Sequence, residues 1–189
     1  MVAVEGAQRW RSMILKERPL VVIIGFSCTH WTSFCNMNYS HRLDELESLR
    51  RVDRRMLRLM IWTMIEQSSH NRFFLFENPP RSAIWSEDAM RQVYALPNTM
   101  QGVGDACMFG KRIPKGQTGE GLHVFKQYRW LSNSSALLKA TCRHCNHTHV
   151  HYQSERGEHI HGSLTKWSGE YTSQLARAIL RAVATLSRM

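Results

Sequence analysis

No apolar run in the chain approaches the roughly 20 residues that cross a bilayer, and the opening MVAVEGAQRWRSMILKERP has no apolar stretch of secretory type. The expectation is an intracellular chain, nuclear or cytoplasmic, with no membrane partner. Acidic residues are few, 15 Asp+Glu against 25 Lys+Arg, which leaves a formal charge of +10. Such a balance favours polyanionic partners, nucleic acid or an anionic surface, and charge alone does not choose between them. Internal repeats and low-complexity tracts are lacking, so solenoids and disordered arrays are set aside. Cysteine is sparse and odd in number, five in all, with only Cys142 and Cys145 in a C-x-x-C. That usage fits reduced thiols or a metal better than a disulfide framework.

What is present is a succession of alternating element types over 189 residues, 43% of them hydrophobic, enough for one substantial core. Val21 to Gly25 is a β-branched apolar run of strand length. Leu43 to Gln67 carries Leu43, Leu46, Leu49, Val52, Met56, Leu59, Met60 and Ile61 near helical spacing, with charge on the other side. Phe73 to Phe76 is a second apolar run, stopped by Glu77-Asn78-Pro79-Pro80. Strand, helix, strand predicts a parallel βαβ unit, which would place the loops carrying Cys28 and Glu77 side by side. Further on, the pattern predicts a helix over 87–96, a strand over 105–109, a flexible basic loop over 110–121, a strand over 123–132 and a helix over 171–189. Residues 1–134 are expected to form the core, with 135–189 adding a Cys/His-rich segment and a final helix packed on the same domain.

Two chemistries stand out. Cys28, three residues past the first strand, is either a small buried residue or a nucleophile presented at a strand end. Cys142 and Cys145 have the spacing of a zinc knuckle, with His149 and His161 as the first choices among many nearby imidazoles to complete a tetrahedron. The alternation of His147, His149 and His151 also suits a solvated strand face. Arg50-Arg51 and Arg54-Arg55 read either as a solvated helix face or as phosphate contacts. Trp31, Trp130 and Trp167 are candidates for base stacking.

The order Gly25-Phe26-Ser27-Cys28, long helix, then Glu77-Asn78-Pro79 resembles the catalytic half of DNA cytosine-5 methyltransferases. The downstream CMFGKR, FKQYRWLSNS and the Cys/His segment before a final helix are similar to phage-type members and to methylase-like segments embedded in retroelement polyproteins. The resemblance runs from about Pro19 to the C-terminus. It implies an α/β, Rossmann-like three-layer domain with a mostly parallel sheet. It also implies Cys28 as nucleophile, Glu77 as the acid that orients the base, Asn78, Pro79 and Arg129 as substrate contacts, and S-adenosylmethionine as methyl donor. Ser27 stands where the family has Pro, and no G-x-G precedes the first strand. The implied domain is therefore truncated at its N-terminus and inactive alone, with a second chain able to supply the cofactor-binding half. The competing expectation is a non-catalytic, zinc-stabilised basic module that binds nucleic acid, a retroelement-derived remnant in one version.

Overall fold

The computed structural model describes residues 2–152 and 169–188. Helix α1 (Val2–Glu17) precedes strand β1 (Val21–Gly25), a short helix α2 (Ser33–Asn38) and the long helix α3 (Leu43–Ser69). Strand β2 (Phe73–Asn78) follows, then helix α4 (Arg91–Tyr94) and strand β3 (Met100–Asp105). Strand β4 (Gln127–Ser132) and helices α5 (Ser135–Thr141) and α6 (Ser173–Leu186) complete the described chain. Asp44 and Glu45 lie in the first turn of α3, where they oppose the helix dipole. Ser134 and Thr172 cap α5 and α6 by accepting the N–H of Leu137 and Leu175.

The four strands form one mixed sheet in the order β1-β2-β4-β3, an α/β architecture. One layer of helices, α1 and α3, buries Val22, Ile24, Phe74, Phe76 and Leu131 on one face. On the other, α5 and α6 bury Leu75, Tyr128 and Trp130. Strand alternation explains the split, since neighbouring residues of β2 and β4 point to opposite layers. Each fully buried aromatic or Leu contributes about 1.5–3 kcal/mol, so β2 alone pins both layers.

The expected mostly parallel sheet is corrected here. Only β1 and β2 pair in parallel, while β4 runs antiparallel to both β2 and β3. A parallel neighbour needs a crossover, and residues 106–126 hold only a 3₁₀ turn and a hairpin-like excursion, so the chain re-enters the sheet from the edge it left. The strand expected over 105–109 is also displaced. The strand ends at Asp105, and Ala106–Phe109 is the 3₁₀ turn.

Because β4 is reversed, β1, β2 and β3 all point the same way. Their C-terminal ends, together with the start of β4, therefore meet at one edge of the sheet, where Gly25 lies opposite Glu77 and Asp105 opposite Gln127. Among the described residues β1 is the last strand at one side, with Leu20 and Ile23 exposed beside its open flank. Among the described residues no helix is long and apolar enough to cross a membrane.

Candidate functional site

Two groups of reactive side chains occupy the edge where the strands converge. The first is built on Glu77, the fifth residue of β2, which is 9% exposed. Tyr171, just before α6, donates its hydroxyl to Glu77 Oε2 at 3.0 Å. Gly25 makes room for that hydroxyl, since a Cβ there would sit 3.3 Å from it. Burial raises the Glu77 carboxyl to about 7, partly opposed by the Tyr171 hydrogen bond and the charge of Lys126. Tyr128 and Trp130 pack around Tyr171 with ring centroids 5.8 Å and 5.9 Å away. Lys126, immediately before β4, is held below its usual range by burial, against the pull of Glu77 and Cys28.

Cys28 lies beside this group. Its thiol is raised by burial, lowered by Lys126 and raised again by Glu77, so it stays a thiol at neutral pH. Asn78, expected to touch substrate, is instead fully buried and donates Nδ2–H to Phe26 O at 2.8 Å, tying the two strand exits together. Pro79 offers its carbonyl to Trp85 Nε1 at 2.7 Å. Arg129 lies on the opposite sheet face, its guanidinium 4.5 Å above the Trp85 ring and bonded to Gln101 Oε1 at 2.5 Å. It therefore does not join Glu77. Trp31 and Trp130, candidates for base stacking, are fully buried in the two layers, and Trp167 lies outside the described residues.

The second group collects Cys107, Cys145, His149 and His151, whose ligand atoms all lie within 4.8 Å of one another, a set that could hold a metal ion. Cys107 comes from the 3₁₀ turn after β3, and the other three from the segment after α5. Asp105, buried at the end of β3, accepts the Cys145 N–H at 2.6 Å and the Gln127 side chain at 2.9 Å, and so anchors the Cys145 turn to the sheet. His147 adopts a left-handed φ of 56° and donates its N–H to Cys145 Sγ at 3.2 Å. That turn carries the His147 ring toward Phe125, while His149 and His151 face Cys145. Burial and the neighbouring Cys145 push the Cys107 thiol up to about 12. Two thiols side by side resist double ionisation unless a cation sits between them.

Cys142, expected as a ligand, stands outside this set. It packs over β3, where a Cβ on Gly102 would meet its sulfur. His161 lies outside the described residues. Cys107 carries no signal in the sequence because 38 positions separate it from Cys145. His151 is visible there only as one of several histidines. No known family model matches the sequence, and no curated protein or solved structure matches it.

Proposed function

We propose that the chain is a non-catalytic, zinc-stabilised basic module that binds nucleic acid through its phosphates. The observation that supports this most is the outward face of α3. Arg51, Arg55 and Arg58 are spaced i, i+4, i+7, all are exposed, and none is within ion-pair distance of an acid among the described residues. One turn further on, Arg11 lies 5.1 Å over the Trp62 ring. At 1.5 Å per residue this ridge runs about 16 Å along the helix. Arg50 and Arg54 have other work: Arg50 bonds His30 O and Asn36, Arg54 pairs with Glu47 and Glu87, and both lie over Trp31. The arginine runs thus divide into two structural residues and an outward set free to meet a polyanion.

The test is a fluorescence-anisotropy titration of labelled duplex and single-stranded DNA across a salt series. Binding should weaken steeply with salt. Changing Arg51, Arg55 and Arg58 together to Ala should lower the log–log slope on duplex by about 3, roughly 0.9 for each phosphate that is no longer neutralised. An undiminished slope, or no binding at low salt, contradicts the reading.

A second reading, a cytosine-5 methyltransferase-like domain, is favoured by the adjacency of Cys28 and Glu77. A neutral carboxylic acid presents one donor and one acceptor, as a cytosine edge requires. The residues present do not fit S-adenosylmethionine, since among the described residues no strand passes through a glycine-rich turn into a helix. Calorimetric titration with S-adenosylmethionine should show no heat. Methylation of cytosine that is lost in Cys28→Ala would establish this second reading.

A further inference from the structure

We propose that Cys107, Cys145, His149 and His151 bind one zinc ion as a closed structural site, and that this ion clasps the basic hairpin of residues 111–124 to the sheet. A tetrahedral zinc with Zn–S near about 2.3 Å and Zn–N near about 2.05 Å sets S···N edges of about 3.6 Å and N···N edges of about 3.3 Å. The chain shows Cys145 Sγ to His149 Nε2 at 3.5 Å, Cys145 Sγ to His151 Nε2 at 3.6 Å, and the two Nε2 atoms 3.1 Å apart. These are the edges of one face of such a tetrahedron, and Cys107 supplies the fourth corner.

Hydrogen bonding alone does not account for the arrangement. A neutral imidazole nitrogen either carries a proton or accepts one, so three mutual contacts among one thiol and two Nε2 atoms can contain at most two hydrogen bonds. A cation satisfies all three at once. Two thiolates and two neutral imidazoles also balance the charge of a divalent ion, and two sulfurs with two nitrogens in a tetrahedron select zinc among the common divalent metals. With all four positions taken by protein the ion holds structure and has no open position for a substrate. The Cys145 sulfur receives the His147 N–H, and Asp105 fixes the Cys145 backbone, the outer contacts a metal site needs.

The clasp reaches beyond its ligands. In the hairpin, Val124 donates to Lys111 O and Ile113 to Leu122 O, and the exposed Arg112 at its base and Lys115 nearer its tip make it basic. His123 at its base bridges to both Arg112 and His151, its carbonyl accepts Tyr152 N–H at 2.7 Å, and its ring stacks on His149 at 3.8 Å. A metal that fixes His149 and His151 therefore fixes the hairpin too. The proposal rests on the zinc part of the reading above. It is tested without nucleic acid, so its failure and a failure to bind DNA are separate results.

Full-length protein is stripped and reloaded with Co²⁺, and its visible and near-ultraviolet absorption is recorded. One equivalent should give the strong ligand-field bands of tetrahedral cobalt and a thiolate-to-cobalt charge-transfer band. Cys107→Ser and Cys145→Ser should each roughly halve that band, and Cys142→Ser should leave it unchanged. Hydrogen exchange on the wild-type protein should show the amides of Ile113, Val124 and Tyr152 losing protection when metal is removed. Loss of the band in Cys142→Ser with retention in Cys107→Ser, or failure to bind one equivalent, overturns the site. Unchanged exchange overturns the clasp. If Cys107→Ser does not fold, zinc-edge X-ray absorption of the wild-type protein decides instead, since any count other than two sulfurs and two nitrogens refutes the ligand set.

Discussion

Glu77 is the residue whose surroundings make the sharpest solution prediction. Its carboxyl is faced by Tyr171, Lys126, Cys28 and Tyr128, and burial outweighs the groups that favour its charge. Below about pH 4.5 the group is protonated folded or unfolded and costs nothing. Between 4.5 and about 7 the folded chain keeps a proton that the unfolded chain releases, so stability falls as pH rises through this window and levels off above it. A displacement of that size corresponds to about 3 kcal/mol. Urea melts from pH 5 to pH 8 should show the decline in the wild type. In Glu77→Gln, whose amide oxygen still accepts from Tyr171, this share of the slope should vanish. Parallel pH profiles for the two proteins would refute the assignment. Glu77 is legible in the sequence, but the role of its neighbour is not: an Asn at a strand exit can contact a substrate or lock a backbone carbonyl, and burial alone distinguishes the two.

Among the elements, β3 shows most clearly what sequence patterns miss. Met100–Asp105 holds two apolar side chains, Met100 and Val103, and two glycines, so no alternation announces a strand. The glycines are there because the exit of α5 crosses directly over them. A Cβ on Gly104 would strike the backbone carbonyl of Thr141, and one on Gly102 would meet the side chain of Cys142. Gly104→Ala should therefore cost about 3 kcal/mol, since backbone has little room to yield. Gly102→Ala should cost less and be relieved by Cys142→Ala, as measured by chemical denaturation. Equal costs with no relief would contradict this packing. By contrast β1, β2 and α3 are legible, because dense apolar runs and a long stripe are what burial in a central layer demands. The direction of β4 is not, because nothing in its own residues records the edge from which it enters. The same holds for the metal group: C-x-x-C and the histidines point to Cys145 and His149, but Cys107 meets them only through the turn that ends β3.

At the scale of the whole molecule, a charge of +10 accompanies a sheet that, among the described residues, has no strand paired to the outer side of β1. The open flank of β1 runs Val21 to Gly25 with no lysine, proline or bulge of the kind that normally keeps strand edges from pairing. Repulsion between like-charged copies is then the main colloidal protection of that flank, and it acts only over the screening length, about 10 Å at 0.1 M salt and about 3 Å at 1 M. If α3 binds a polyanion as proposed, the ionic strength that strips it from the ridge is the same one that lets two chains approach edge to edge. Solubility should accordingly have an upper salt limit. Light scattering should rise with salt and protein concentration in the wild type and stay flat in Ile23→Lys, which places a charge on the exposed side of the strand. Scattering that stays flat in the wild type up to 1 M would show that the flank is protected by something other than charge. Otherwise, high salt during purification carries the hazard of driving this protein into strand-paired aggregates.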